Sequence, residues 1–145
     1  MKKLSFLLGF LAITLSSFAA DVNEEVLKIF NRTYPDAKST MWSEHKQGFM
    51  VYFTNKEASY RVVYNLEGNV VLAFKYYGEE NLSPVIANKV KKAYPDFKIH
   101  SVIEKSSEEN VEYHIIIQGP KKLITLKSDS IGTFEVESKY DTDSN

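Results

Sequence analysis

The chain has 145 residues, 43% of them hydrophobic and 26% charged, which suits one or two small domains and excludes a large multi-domain enzyme. Eighteen basic residues against nineteen acidic ones give a net charge of -1, which argues against a general nucleic-acid-binding protein. Cysteine is absent, so neither a disulfide nor a thiol nucleophile is available.

Residues 1–19 have the layout of a secretory signal peptide. Lys2 and Lys3 are followed by an almost wholly apolar run over residues 4–15, and Ser17-Phe18-Ala19 places small residues before a cleavage point. The apolar run is shorter than the roughly 20 residues that span a bilayer. We therefore expect a periplasmic or secreted protein, cleaved near Ala19 or Ala20, with no membrane span after the signal is removed.

Residues 20–78 predict a helix followed by four antiparallel strands. Apolar residues recur at helical spacing from Asp21 to Tyr34, Asp21 is the expected N-cap, and Pro35 ends the helix. The period then changes to two, and glycine- and asparagine-rich segments predict short turns between neighbouring strands. The predicted strands are 39–44, 49–54, 60–64 and 70–77.

Residues 79–140 predict the same order again. Ser83-Pro84 is typical of a helix start, and Pro95 ends this helix as Pro35 ends the first. The predicted strands are 98–104, 111–118, 122–127 and 133–138. The polar, acidic residues 141–145 predict a disordered tail.

The segment Tyr34-Pro35-Asp36-Ala37-Lys38 recurs sixty positions later as Tyr94-Pro95-Asp96-Phe97-Lys98, which indicates a tandem duplication. A unit of about 60 residues is marginal as an independent folder. We therefore predict an α+β fold of two tandem helix-plus-four-strand antiparallel repeats, with the helices on one face of a single eight-stranded sheet. Two loosely joined modules are the alternative.

Catalytic motifs are absent from the sequence. His45, His100 and His114 lack metal-ligand spacing, and we expect His114 on a solvated sheet face. Adjacent carboxylates occur at helix starts or in polar loops, where nothing separates their pKa values. The sequence predicts no catalytic residue, no cofactor and no metal, and hence a protein that is not an enzyme.

Strand alternation also predicts a binding face. We place Phe74 in the apolar core and assign six residues to the opposite face, because tyrosine, methionine and arginine are favoured at protein interfaces. These six are Met50, Tyr52, Arg61, Val63, Lys75 and Tyr77. The leading hypothesis is a non-enzymatic module that binds or inhibits a protein or peptide. The alternatives are a face covered by the other half of the chain or by a loop, and a carrier of a small apolar or envelope-derived ligand between helices and sheet. The weakest alternative is an enzyme, which would need a carboxylate pair brought together by folding.

A set of structural positions supports a family resemblance. They are Val26, Phe30, Tyr34-Pro35-Asp36-Ala37, Trp42, Phe53, Tyr64, Glu67-Gly68, Ser83-Pro84, Val90 and Tyr94-Pro95-Asp96. Across residues 21–138 the chain resembles the PepSY-like, β-lactamase-inhibitor-like periplasmic proteins of Gram-negative bacteria. The resemblance implies α+β repeats with antiparallel sheets, a periplasmic or secreted location and no known catalytic residues. The second copy departs from the pattern, with Val102 in place of Trp42 and a turn stretched over residues 128–132.

Overall fold

A computed structural model describes residues 21–142, so the predicted signal peptide lies outside the described residues. A helix followed by four strands occurs twice in succession. The elements are α1 (Glu24–Thr33), β1 (Lys38–His45), β2 (Gly48–Thr54), β3 (Ser59–Asn65), β4 (Val70–Tyr77), a 3-10 turn (Glu79–Asn81), α2 (Pro84–Ala93), β5 (Lys98–Ser107), β6 (Val111–Gln118), β7 (Lys122–Ser128) and β8 (Phe134–Asp141).

All eight strands form one antiparallel sheet whose spatial order follows the chain, from β1 to β8. The two halves join where β4 pairs with β5, from Leu72 opposite Ser107 to Tyr77 opposite Val102. The prediction of a single eight-stranded antiparallel sheet is therefore confirmed, and the alternative of two loosely joined modules is wrong.

The two helices end in the same way. The N–H groups of Tyr34 and Tyr94 donate to the carbonyl oxygens of Phe30 and Val90, at 2.8 and 2.9 Å, and proline follows each tyrosine. The predicted start of α1 is wrong, because the N-cap is Asn23, whose side chain accepts from the Val26 N–H at 3.0 Å. Asparagine is as good an N-cap as aspartate, so composition alone did not separate Asn23 from Asp21.

The buried side chains form two clusters. In the first half, Val26 and Phe30 of α1 join residues of β2 and β3 around Val51 and Val62, which are 0% exposed. In the second half, the α2 residues Ile86, Ala87 and Val90 join side chains of β5, β6 and β7. Strand register puts the strand members of both clusters on one side of the sheet, which we call the core face. The opposite side is the outer face.

A β-bulge in β4 overturns the predicted sides of this strand. Val63 pairs with Leu72 while Tyr64 pairs with Val70, so the extra residue Val71 inverts the alternation from that point on. Phe74 consequently lies on the outer face and not in the core. Tyr77 is 7% exposed and belongs to the buried cluster of the second half.

Lys75 shares the side of Tyr77, because the two residues are two apart on one strand. Its ammonium nitrogen lies 5.0 Å from the centre of the Tyr77 ring. The prediction that Lys75 and Tyr77 face away from the core is therefore wrong.

The turns β3–β4 and β7–β8 have the same construction. The Asn65 side chain accepts from the N–H groups two and four residues on, at 3.0 and 2.9 Å, and the Asp129 side chain does the same at 3.0 and 2.8 Å. Gly68 and Gly132 follow at φ values of 87° and 81°, which favour glycine. The turn of the second half is thus not stretched. The additional residues of the second half lie before this turn, since β5 has ten residues and its counterpart β1 has eight.

The C-terminal strand runs further than predicted. Asp141, assigned to a disordered tail, pairs with Lys122 as the last residue of β8, and the Thr142 N–H donates to the Lys121 carbonyl oxygen at 2.9 Å. The rest of the predicted tail, residues 143–145, lies outside the described residues.

Candidate binding face

The outer face brings together four of the six residues predicted to bind a partner. Met50 lies opposite Val63 and Tyr52 opposite Arg61 in the β2–β3 pair. Tyr52 is 38% exposed, and the other three side chains are half-buried by their neighbours on the sheet. Lys75 and Tyr77 are separated from this group by the thickness of the sheet, so they cannot act with it on a single partner surface.

A groove of about 410 Å³ crosses the middle of the outer face. It spans the junction between the two halves, and its walls come from β3, β4, β5, β6, β7 and β8. Its lining residues are Arg61, Phe74, Tyr76, Ile103, His114, Ile116, Thr125 and Glu137. Four of the eight lining residues are aromatic or aliphatic and four are polar or charged, so the groove combines apolar surface with polar groups that could orient a ligand.

One wall of the groove is a stacked set of side chains. The guanidinium carbon of Arg61 lies 4.0 Å from the centre of the Phe74 ring, directly across the β3–β4 pair. The Phe74 and Tyr76 rings are stacked, with centres 6.4 Å apart and planes 20° from parallel. Stacked rings hold each other's rotamers, so this wall is preorganised for contact.

The opposite wall contains a polar pair. The Nδ1 atom of His114 lies 2.8 Å from a carboxylate oxygen of Glu137, within hydrogen-bond distance. His114 lies on the outer face, but the face is not solvated at this position as predicted, because only 20% of the side chain is exposed. His114 also lies directly opposite Ile103, so these two side chains line the groove next to each other.

A charged cluster lies on the outer face beyond the groove, centred on Glu112. Its carboxylate lies 3.0 Å from the Lys127 ammonium and 3.7 Å from that of Lys105. The hydrogen bond from Lys127 holds the pKa of the Glu112 carboxyl below its ordinary value, and the same bond raises the pKa of Lys127. These charges have one another as partners, and the Glu112 carboxylate also lies 3.9 Å from the Nε2 atom of His114, so the cluster adjoins the groove.

The core face also carries a polar contact. The Tyr77 hydroxyl donates to a carboxylate oxygen of Glu104 at 2.9 Å. Burial, reinforced by this hydrogen bond, raises the pKa of the Tyr77 phenol. The phenol therefore stays neutral at physiological pH and acts as a structural donor. Among residues 21–142, no group of three or more histidine, cysteine or acidic side chains is arranged to hold a metal ion.

Sequence reasoning missed most of the groove. Phe74 and Tyr76 were misplaced by the bulge, and Ile103 and Ile116 belong to strands of the second half that only the β4–β5 pairing brings alongside Arg61. One usable signal existed. Because side chains alternate along β6, Ile116 lies on the same face as His114. An apolar side chain on that face indicates that the binding face extends into the second half.

Comparison with known proteins supports the fold. No protein-family model matches the chain, and no curated protein matches it. A solved structure of a BLIP-like protein from Bacteroides fragilis is similar, at 13% identity and a TM-score of 0.61, with 86% of this chain and 89% of that chain covered. A DUF2874 family protein from Bacteroides ovatus has 16% identity, 84% and 89% coverage, and the same TM-score of 0.61.

A third similar structure is that of a proposed periplasmic protein from Bacteroides eggerthii, at 16% identity, with 83% of this chain and 88% of that chain covered and a TM-score of 0.61. At these identities the likeness shows a shared fold, the BLIP-like fold, and does not fix an activity. Neither helix within residues 21–142 is long and apolar enough to cross a membrane.

Proposed function

We propose that this protein is a non-enzymatic binding module of the periplasm or extracellular space, and that it holds a protein or peptide partner on the outer face of its sheet. The observation that carries the proposal is the groove between Arg61 and Glu137. It combines half-buried apolar side chains with aromatic residues and an arginine, and no helix from residues 21–142 covers it.

The chemistry of the groove favours a macromolecular partner. Aromatic residues and arginine dominate the residues that carry binding energy in protein interfaces. Phe74, Tyr76 and Arg61 are already ordered by stacking, so little side-chain entropy is lost when a partner binds. The charged cluster around Glu112 would form part of a polar rim, as interfaces have around an apolar centre.

The proposed architecture is a tandem duplication with both helices on the core face. The matching helix ends at Tyr34 and Tyr94 and the matching turns at Asn65 and Asp129 support a duplication. With both helices on one side, no helix of the described part of the chain covers the other side of the sheet in either copy. Location outside the inner membrane rests on the signal-peptide layout of residues 1–19 and on the fold shared with a proposed periplasmic protein.

Inhibition of an enzyme is one form that such binding would take. The support is the fold shared with a protein described as BLIP-like, together with the groove. The alternative, a small ligand between helix and sheet, is disfavoured because Val26, Val51 and Val62 fill that space at 0% exposure. A ligand there would have to displace close-packed side chains.

Site-specific photocrosslinking in an envelope extract tests the proposal. A photoreactive phenylalanine analogue replaces Tyr52 or Tyr76 on the outer face and, as a matched control, Lys28 or Lys92 on the exposed side of a helix. We expect one partner to crosslink from both outer-face positions and from neither helix position. Tyr52→Ala and Arg61→Ala should each weaken capture of that partner without unfolding the protein. Crosslinking confined to the helix positions would refute the proposed face.

A further inference from the structure

The polar side chains of the groove differ in whether they have a partner within residues 21–142. His114 and Glu137 form a pair at 2.8 Å. Arg61, by contrast, makes no hydrogen bond or salt bridge with any residue in 21–142, and its defined contact is with the face of the Phe74 ring. A half-buried arginine that lacks an anionic partner among the described residues is a candidate anchor for an anion from outside.

The register explains why Arg61 is unpaired. Its cross-strand neighbours are Tyr52 on β2 and Phe74 on β4. The outer-face residues one pleat further along the three strands are all neutral as well: Met50, Thr54, Ser59, Val63, Leu72 and Tyr76. The other cations near the groove are paired, because Lys105 and Lys127 each form a salt bridge with Glu112.

The contact of the guanidinium carbon with the Phe74 ring uses none of the N–H donors of Arg61, and no acceptor within residues 21–142 takes them. A guanidinium contacts an aromatic ring through its flat face, while its five N–H donors lie in the guanidinium plane. That edge matches the two oxygens of a carboxylate in a bidentate pair. The surrounding aromatic side chains reduce competition from water and strengthen such a pair.

We propose that Arg61 and Phe74 form a carboxylate subsite, which receives the C-terminal carboxylate of a peptide whose last side chain is aromatic or aliphatic. The inference rests on the proposed function and names the partner chemistry that the groove selects. The apolar group lies on Tyr76, Ile103 and Ile116. A single carboxylate fits better than a phosphate group, because the groove offers one unpaired cation, and Glu137 at its other end repels additional negative charge.

Two small probes that differ in one group test the subsite. They are N-acetylphenylalanine, which carries a carboxylate, and its uncharged amide, each titrated into isotope-labelled protein by NMR. We expect the carboxylate to shift the Arg61 Nε–H signal and the backbone signals of Phe74 and Ile103. We expect it to bind about tenfold more tightly than the amide, the ratio that the loss of charge-assisted hydrogen bonds gives.

Arg61→Gln should bring the affinity ratio of the two probes close to one, and Arg61→Met, which keeps the apolar stem, should do the same. Lys105→Gln is the matched control and should leave the ratio unchanged. Equal affinity of both probes for the wild type, absence of binding, or a ratio that survives Arg61→Gln would overturn the subsite. A protein that still crosslinks its partner through Tyr76 would then keep the proposed face and lose only the carboxylate preference.

Discussion

Arg61 and Phe74 face each other across the β3–β4 pair, with the guanidinium carbon 4.0 Å from the ring centre. This contact exists because the bulge at Val71 turns Phe74 to the outer face. The local irregularity of one strand therefore creates the aromatic wall of the groove and places Phe74 against Arg61.

Replacing Phe74 with leucine should lower the free energy of unfolding by about 0.5–1.5 kcal/mol, because a cation–π contact on a partly exposed surface and some apolar area are lost. Phe74→Tyr keeps the ring and should cost clearly less. Urea denaturation of the three proteins measures both effects. Equal losses for leucine and tyrosine would contradict a role for the ring contact.

Substitutions of the adjacent residues Tyr76 and Tyr77 test which face of the sheet each side chain of β4 occupies. Tyr77→Ala should cost about 3–5 kcal/mol of stability, as for other large buried aromatic residues, and it also leaves Glu104 without its donor. Tyr76→Ala should cost much less, because this ring lies on the outer face. Thermal or urea unfolding compares the two variants. A larger loss of stability for Tyr76→Ala than for Tyr77→Ala would contradict a bulge at Val71.

Gly68→Ala and Gly132→Ala should each destabilise the protein by about 1–2 kcal/mol, the cost of a left-handed conformation for a residue with a Cβ atom. In addition, a Cβ atom at Gly68 would lie 2.6 Å from the Ile29 Cδ1 atom. Gly78→Ala is the control, because Gly78 has a φ of −89° and should tolerate alanine with a smaller loss. A Gly78→Ala loss equal to the other two would contradict the conformational explanation.

Of the two matching turns, only the β7–β8 turn has an ionisable residue, Asp129, at the accepting position, so we expect the stability of the protein to depend on pH through this turn. Backbone hydrogen bonds, the Thr133 N–H first, hold the pKa of Asp129 below its ordinary value of 3.8. Because the pKa of Asp129 is lower in the folded than in the unfolded state, its ionised carboxylate stabilises the fold. This contribution is fully present above about pH 4 and is lost as the pH falls through the pKa of the folded state. Asp129→Asn keeps the accepting Oδ1 atom, as Asn65 does in the first turn, and does not titrate in this range.

The stability advantage of the wild type over Asp129→Asn should therefore shrink as the pH is lowered from 5 towards 2. Urea denaturation at a series of pH values measures that difference, and Asn65→Asp is the reciprocal control, which should acquire the same acid dependence. A difference that stays constant over the whole range would show that the Asp129 carboxylate is not preferentially bonded in the folded state.

Local signals in the sequence were enough for most of the fold. Pro35 and Pro95 end helices because a prolyl nitrogen carries no N–H, and Gly68 and Gly132 mark turns because they adopt positive φ. These effects act within a few residues, so they can be read from one segment alone. The bounds of β4 and β6 were predicted to the residue for that reason.

The groove could not be read in this way, because it depends on register between distant strands. Because of one additional residue, Val71, both Phe74 and Tyr77 lie on the face of the sheet opposite to the one that simple alternation predicts for them. A bulge leaves no strong local signal in the sequence. The meeting of Arg61 with Ile103 depends on which strands are neighbours at the β4–β5 junction. That information resides in the packing of the whole sheet.

The most direct test is a binding titration with the isolated partner that crosslinks to the outer face. Ile103→Glu places a negative charge in the centre of the groove, and Val85→Glu places the same charge at an exposed apolar position of α2, where the residue is 54% exposed. With both variants folded, we expect Ile103→Glu to weaken binding at least about tenfold, or 1.4 kcal/mol, and Val85→Glu to leave the affinity unchanged. Unchanged binding to Ile103→Glu together with a loss in Val85→Glu would contradict binding on the outer face.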